Sequence, residues 1–179
     1  MRIGVTGHMD ITGQTARLVT TALRAHLAGA DPADPADPAD AALAGVSPDA
    51  RAALIGVSCL APGADLLFAD AVDELGGRLR VLIPSADYRR TQVSAAHAER
   101  FDAAIARAES VTVLPFETAG PQAYEAANHE MLGMIDELVA VWDGEPAPDG
   151  GGTGGAVAEA RRRGVPVVVI WPEGAYRAG

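Results

Sequence analysis

Six short apolar runs punctuate the chain: RIGVTG (2–7), AALIGVS (52–58), LRVLIP (79–84), SVTVLP (110–115), ELVAVW (137–142) and VPVVVIW (165–171). Each is nearly continuous rather than alternating, the pattern of strands buried on both faces of a parallel sheet. Between them the apolar positions fall at spacings of three and four. Ala16, Val19, Leu23 and Leu27 predict a helix over 13–29, and Leu67, Ala71 and Leu75 one over 64–76. Phe101 and Ile105 share a face of an Ala-rich helix over 94–109, and Tyr124, Ala127, Met131 and Ile135 share a face over 121–136. The last helix, 153–163, ends in Arg161, Arg162 and Arg163 ahead of Gly164. Cations suit the C-terminal end of a helix dipole and glycine is a common stop, so the three arginines read as a helix terminus. Strands alternating with helices predict an α/β fold: one Rossmann-like domain over 1–179, three layers thick, with a mainly parallel sheet of about six strands.

One segment breaks the alternation. DPADPADPAD (31–40) carries proline at every third position. Proline blocks a helix interior and removes a ladder donor. The segment predicts an extended, solvent-exposed, low-complexity loop spanning 30–47, between the first helix and the second strand.

Composition narrows the function classes. Apolar residues make up 49% of the 179, yet aromatics only 4%, so Ala, Val, Leu and Ile must fill the core. No apolar run approaches the ~20 residues of a membrane span. The start, MRIGVTGHMD, lacks a long apolar stretch with a small-residue cleavage site and reads as the first strand. A single cysteine, Cys59, excludes an internal disulfide and a cysteine-based metal cluster. These features together predict a cytoplasmic protein with no metal, no cofactor and no membrane partner. The net charge of −10 argues against nucleic acid, whose binding relies on clustered Lys and Arg. A small anion remains possible, because backbone N–H groups at a helix start hold one whatever the overall charge.

In open parallel sheets ligands bind beyond the C-terminal ends of the strands. After the first strand come Thr6 with a hydroxyl, Gly7 where backbone can approach a ligand, and His8, equally a turn cap or an acid–base group. Gly4, Gly7 and Gly13 have the wrong spacing for the GxGxxG dinucleotide fingerprint. In APGAD (61–65), Gly63 permits a tight turn, and Asp65 is either a helix cap or a partner for a ribose hydroxyl. Arg89, after the third strand, can clamp a phosphate. Asn128 and Glu130 are polar positions in the fourth helix; His129-Glu130 begins HExxH, but Gly133 ends the match. No GxSxG elbow occurs, and Cys59 reads as a small buried hydrophobe rather than a nucleophile.

The most distinctive stretch is DGGGTGGAVAEA (149–160). Glycines ahead of a helix let backbone N–H groups face an anion unobstructed, so Gly151, Gly152, Thr153 and Gly154 read as a phosphate cradle. No GKS or GKT follows, so it is not a Walker loop.

Taken in order, RIGVTGH, APGAD, VLIPSADY, ANHEML, ELVAVWDG and GGTGGAVAEARRRGVPVVVIWP resemble the SLOG superfamily, which includes LOG-type phosphoribohydrolases (lysine decarboxylase-like proteins) and DprA-like proteins. The resemblance covers nearly the whole chain except the DPA repeat. It implies a modified Rossmann fold whose glycine loop binds the phosphate of a nucleotide or nucleotide-derived ligand, as in a sensor, and a homodimer or higher homo-oligomer. LOG enzymes carry PGGxGTxxE with a catalytic Glu. Here Ala158 or Ala156 falls on that position, depending on register, and Glu159 sits one residue away, a rotation of about 100° on a helix. The expected function is therefore binding of a small nucleotide-like ligand. A hydrolase of N-glycosidic bonds and a non-catalytic oligomerising scaffold are the alternatives.

Overall fold

The computed structural model describes residues 1–29, 54–145 and 151–178; the DPA repeat and the loop predicted over 30–47 lie outside them. The described elements run β1 (Arg2–Gly7), α1 (Gly13–Leu27), β2 (Ile55–Ser58), α2 (Ala64–Glu74), β3 (Arg78–Ile83), α3 (Tyr88–Thr91), α4 (Ala95–Arg107), β4 (Ser110–Val113), α5 (Pro121–Met134), β5 (Glu137–Val141), α6 (Gly152–Arg162) and β6 (Val167–Val169). The strands form one sheet in the order β4-β3-β2-β1-β5-β6, and every neighbouring pair is parallel.

Side chains on a strand alternate between faces, and β1 shows how both faces are covered. Ile3 and Val5, with Val139 and Val141 of β5, pack under Val19 and Leu23 of α1 and under Phe68 and Val72 of α2. Gly4, between them, faces the opposite layer: a Cβ there would lie 2.7 Å from Ile135 Cδ1. That second layer sets Met131, Leu132 and Ile135 of α5 and its end, with Ala160 of α6, against Val57, Leu82 and Leu138. Farther along the first layer, Phe101 and Ala104 of α4 pack on Leu79, Val81 and Ile83 of β3. Ala, Val, Leu and Ile dominate all three clusters, as the scarcity of aromatics requires.

Two strands depart from the expectation of burial on both faces. All four residues of β4 are exposed, with Val111 at 42% and Val113 at 53%, and Val169 of β6 is 43% exposed. Both strands are sheet edges, each paired on one side only. An apolar run reports β propensity but not whether a helix reaches over it. The four-residue α3 was also not anticipated. It is a single turn closed by hydrogen bonds from Thr91 N–H to Asp87 O and from Gln92 N–H to Tyr88 O.

The connections decide where a ligand can sit. From β1 to β4 the chain steps outward in one direction; α5 then returns it beneath the sheet to β5, on the other side of β1. The reversal lies between β1 and β5. Beyond β6 the chain comes back to the same end: Tyr176 N–H donates to Thr15 Oγ1, Ala178 N–H donates to Asp10 O, and Arg177 bridges Ile11 antiparallel. No helix among the described residues is long and apolar enough to cross a membrane.

Phe68 is fully buried between α2 and the sheet. Phe68→Ala is expected to lower unfolding free energy by about 3–5 kcal/mol without changing the fold, read by urea denaturation and far-UV circular dichroism.

Candidate functional site

Beyond the reversal, β1 and β5 end side by side. His8 N–H donates to Val141 O at 3.0 Å. At Gly7 a Cβ would stand 2.5 Å from Ala64 Cβ and 2.8 Å from Val141 Cβ, so any side chain would push α2 or β5 away. Gly63 closes the same junction. Its φ is +78°, and a Cβ there would lie 2.5 Å from Met9 O. This close contact lets Ala64 N–H reach His8 O at 3.2 Å.

A cleft of about 720 Å³ opens above this junction. Thr6, Gly7 and His8 form its floor at the end of β1; Cys59, Ala61 and Asp65 come from the turn into α2; Tyr124 and Asn128 come from α5. Trp142 after β5, the start of α6 at Gly152, Thr153 and Gly154, and Arg177 complete it. Eight of the residues singled out from the sequence thus line one cleft: Thr6, Gly7, His8, Asp65, Asn128, Gly152, Thr153 and Gly154.

Three others do not line it. Gly63 is spent on the backbone contact with Met9. Arg89 is tied to Asp102 by two bonds of 2.7 Å and lies over the Phe101 ring at 5.9 Å, so it does not reach a phosphate in the cleft. Gly151 is the residue before α6, with extended backbone. Thr153 is inside the first turn rather than the cap. Glu159, the acid nearest the hydrolase register, pairs with Arg162 and Arg163.

Some lining residues escaped sequence reasoning. Tyr124 read as a core position, yet it is 36% exposed, and its ring meets Tyr88 edge-on at 6.5 Å. Trp142 directly follows β5 and was legible as a strand-end residue. Nothing in the sequence signals Arg177, because only the return of the chain to Ile11 brings it to the cleft.

The polar groups fall into two sets. In the first, His8 Nε2 lies 3.0 Å from Asp143 Oδ1, and Arg177 Nε donates to Asp143 Oδ2 at 2.8 Å. The His8 ring stands edge-on to Trp171 at 5.4 Å. Burial pushes the Asp143 carboxyl up, but the Glu145 N–H, His8 and Arg177 outweigh it and hold the group below its ordinary range. In the second set, Asp65 Oδ2 accepts from Ser58 Oγ at 3.0 Å, Cys59 N–H at 3.2 Å and Ala61 N–H at 3.4 Å. These bonds hold the turn in which Leu60 takes a left-handed φ of +55°. Asp65 is only 5% exposed, and its burial outweighs those hydrogen bonds, raising its pKa from 3.8 to about 6.

The start of α6 differs from the start of α1. Thr12 Oγ1 accepts from Thr15 N–H at the head of α1, whereas among the described residues no side chain caps α6, and its first turn holds no acidic residue. The first-turn N–H groups of a helix have no partner within the helix. Here they belong to glycines and a threonine that line the cleft. Among the described residues, Arg177 is the only Lys or Arg on its walls.

No family model matches the chain, and no curated protein matches it closely in sequence. Solved structures share its fold, two of them as follows. One is the X-ray structure of DNA processing protein A (DprA) from Streptococcus pneumoniae, with a TM-score of 0.61 at 17% identity over 96% of this chain and 50% of that one. The other, DNA processing protein A from Helicobacter pylori, gives 0.59 at 12% identity over 99% of this chain and 69% of that one, and is described in terms of its unique single-stranded DNA binding mode. The fold is that of the DNA processing proteins. Of the groups named in the sequence resemblance, the DprA-like one is that whose fold these structures share, and the chain spans half the length of the pneumococcal protein.

This likeness corrects two expectations. The expectations of a small nucleotide-like ligand, an N-glycosidic hydrolase or a scaffold run against the one partner these structures name, the single-stranded DNA of the Helicobacter protein. The exclusion of nucleic acid on net charge falls with them. A sum of −10 describes the whole surface, where most arginines already pair with acids, as Arg24 does with Glu74 and Arg100 with Asp70. It does not describe the backbone donors and aromatic rings of one cleft.

Asp65 provides a check on this geometry. Its folded pKa, about 6, lies above the ordinary 3.8, so the folded state binds the proton more tightly. Its contribution to stability therefore rises as pH falls from above 6 toward 4, by roughly 2–3 kcal/mol. Chemical denaturation at pH 4.5 and 7.5 should show this difference between wild type and Asp65→Asn; equal pH dependence in both would contradict the buried, ionisable carboxyl.

Proposed function

We propose that this chain binds single-stranded DNA across the C-terminal edge of the sheet. One phosphate sits at the start of α6, and a neighbouring base enters the cleft against Trp142 and Tyr124. The observation that carries the reading is the first turn of α6, built of glycines and a threonine with no acidic side chain, lining the same cleft as these two aromatic side chains and Arg177. Backbone N–H groups at a helix start bind phosphate oxygens, and aromatic rings stack on bases of any sequence. Arg177 shares its guanidinium between Asp143 and the cleft, which suits a second phosphate contact. The chemistry assigned here is binding, and with a DNA partner the reading is of a cytoplasmic protein.

An acidic protein that holds DNA this way has a recognisable salt response. Affinity comes from fixed backbone donors and stacking, with few counterions released. Fluorescence anisotropy with labelled single strands should give a shallow log–log slope against salt, about −0.7 to −1.4 for one or two phosphates. Duplex DNA should bind more weakly. Trp142→Ala should weaken single-strand binding by roughly 1–3 kcal/mol, and Gly152→Asp should abolish it by placing an anion at the phosphate position. The reading is sunk if low-salt buffer gives no single-strand binding, or if neither substitution changes the affinity.

A further inference from the structure

His8 stands where a single proton changes its contact. Its Nε2 lies 3.0 Å from Asp143 Oδ1 and 3.3 Å from the Asp143 backbone nitrogen. The two contacts need opposite forms of the ring. A bare Nε2 accepts from the Asp143 N–H, whereas an Nε2 carrying hydrogen donates to the carboxylate. The carboxylate is itself divided. Oδ1 accepts from the Glu145 N–H at 3.0 Å, and Oδ2 accepts from Arg177 Nε at 2.8 Å. The His8 and Asp143 side chains are mostly covered, at 13% and 15% exposed, while that of Arg177 is 51% exposed and lines the cleft. Of the three, Arg177 is the one with room to turn. A neutral His8 leaves Arg177 as the cation on Asp143; a protonated His8 sets a second cation on the same carboxylate.

Two cations on one carboxylate compete for it. Resting on the single-strand reading above, we propose that a proton on His8 hands Asp143 to the imidazolium and releases Arg177 to a DNA phosphate, so that the cleft takes up a strand and a proton together. His8 is then a positioning residue, acting on the strand through Asp143 and Arg177. The fold supplies this linkage: His8 follows β1, Asp143 follows β5, and Arg177 comes from the C-terminal return. Imidazole changes its charge between about pH 5 and 8, and by reciprocity strand and proton each strengthen the binding of the other. The surroundings of the ring narrow the source of the effect. Trp171 meets it edge-on and carries no charge, and the first turn of α6 holds no acidic residue. Asp10, Asp65 and Glu145 line the same cleft, as do Cys59, Tyr88 and Tyr124, whose side chains burial pushes upward. His97, a second imidazole on the cleft wall, bonds Ser94 Oγ through Nδ1. Asp65, raised to about 6, and His97 are the rival sites for the proton.

The test titrates labelled oligothymidylate by fluorescence anisotropy at pH 8 and pH 6, at constant ionic strength. Wild type should bind about tenfold more tightly at pH 6. His8→Gln keeps an amide donor but has no titrating ring, and should bind equally at both pH values. Arg177→Gln should bind weakly and equally at both. Asp143→Asn no longer holds Arg177 back, and at pH 8 should bind about as tightly as wild type does at pH 6. Asp65→Asn and His97→Gln, whatever their affinities, should keep the wild-type ratio between the two conditions. Cooperative melting at each pH shows which variants are folded, and the exposed Arg177→Gln decides if His8→Gln does not fold. Equal wild-type affinity at the two pH values overturns the inference and leaves the DNA reading standing. So does a response that survives His8→Gln, or one that Asp65→Asn or His97→Gln abolishes, because the proton then sits elsewhere. Weaker binding by folded Asp143→Asn than by wild type at pH 8 also overturns it, since Asp143 then steadies Arg177 for the strand. If wild type binds oligothymidylate at neither pH, the DNA reading and this inference fall together.

Discussion

The cleft depends on how closely two strand ends can approach. Gly7 ends β1 with no room for a methyl group against Ala64 and Val141, and that contact seats α2 and β5 on the end of the central strand. The reversal of strand order then falls beside the same residue, since β2 lies on one side of β1 and β5 on the other. Helices after these strands diverge from that point, as they do at the switch point of other doubly wound sheets, and the gap between them is the cleft. Gly63 reinforces the arrangement from the opposite chain segment, with a left-handed φ that brings its backbone onto Met9. The site is thus defined first by backbone proximity, and side chains only furnish it.

That furnishing is electrostatically economical. Among the described residues the cleft holds one arginine, and that arginine is shared with Asp143, which His8 also approaches. A surface covered with lysine and arginine binds any polyanion; this one offers oriented N–H dipoles at one place and apolar rings at another. Such a site gains little from long-range attraction. On the function proposed above, its selectivity would come from geometry, with the acidic remainder of the surface disfavouring diffuse binding elsewhere.

Much of the fold was legible in the sequence because buried parallel strands are written as continuous apolar runs. RIGVTG and ELVAVW became β1 and β5 almost to the residue. SVTVLP and VPVVVIW were read the same way and became sheet edges, exposed along all of β4 and at Val169 of β6, since a run of valines carries no information about what covers it. Within the site, the residues after β1 and at the start of α6 were recoverable from their place after a strand or before a helix. Arg89 was not: its type suits phosphate, but Asp102, two turns into α4, claims it. Arg177 could not be found either, because its position depends on a pairing with Ile11 across nearly the whole chain. The error about nucleic acid had a different origin, a global sum standing in for a local field.

The pairing of residues 176–178 with the segment around residues 10–15 has a consequence for how the site comes into being. Its walls draw on residue 5 at one extreme and residue 177 at the other. During synthesis the central strand emerges first, but its β5 neighbour, the head of α6 and Arg177 lie far later in the sequence. The sheet on the β2–β3 side can assemble while the ribosome is still working, with contacts that are comparatively near in sequence. The cleft therefore forms only once residue 177 has been made, later than the β2–β3 side of the sheet.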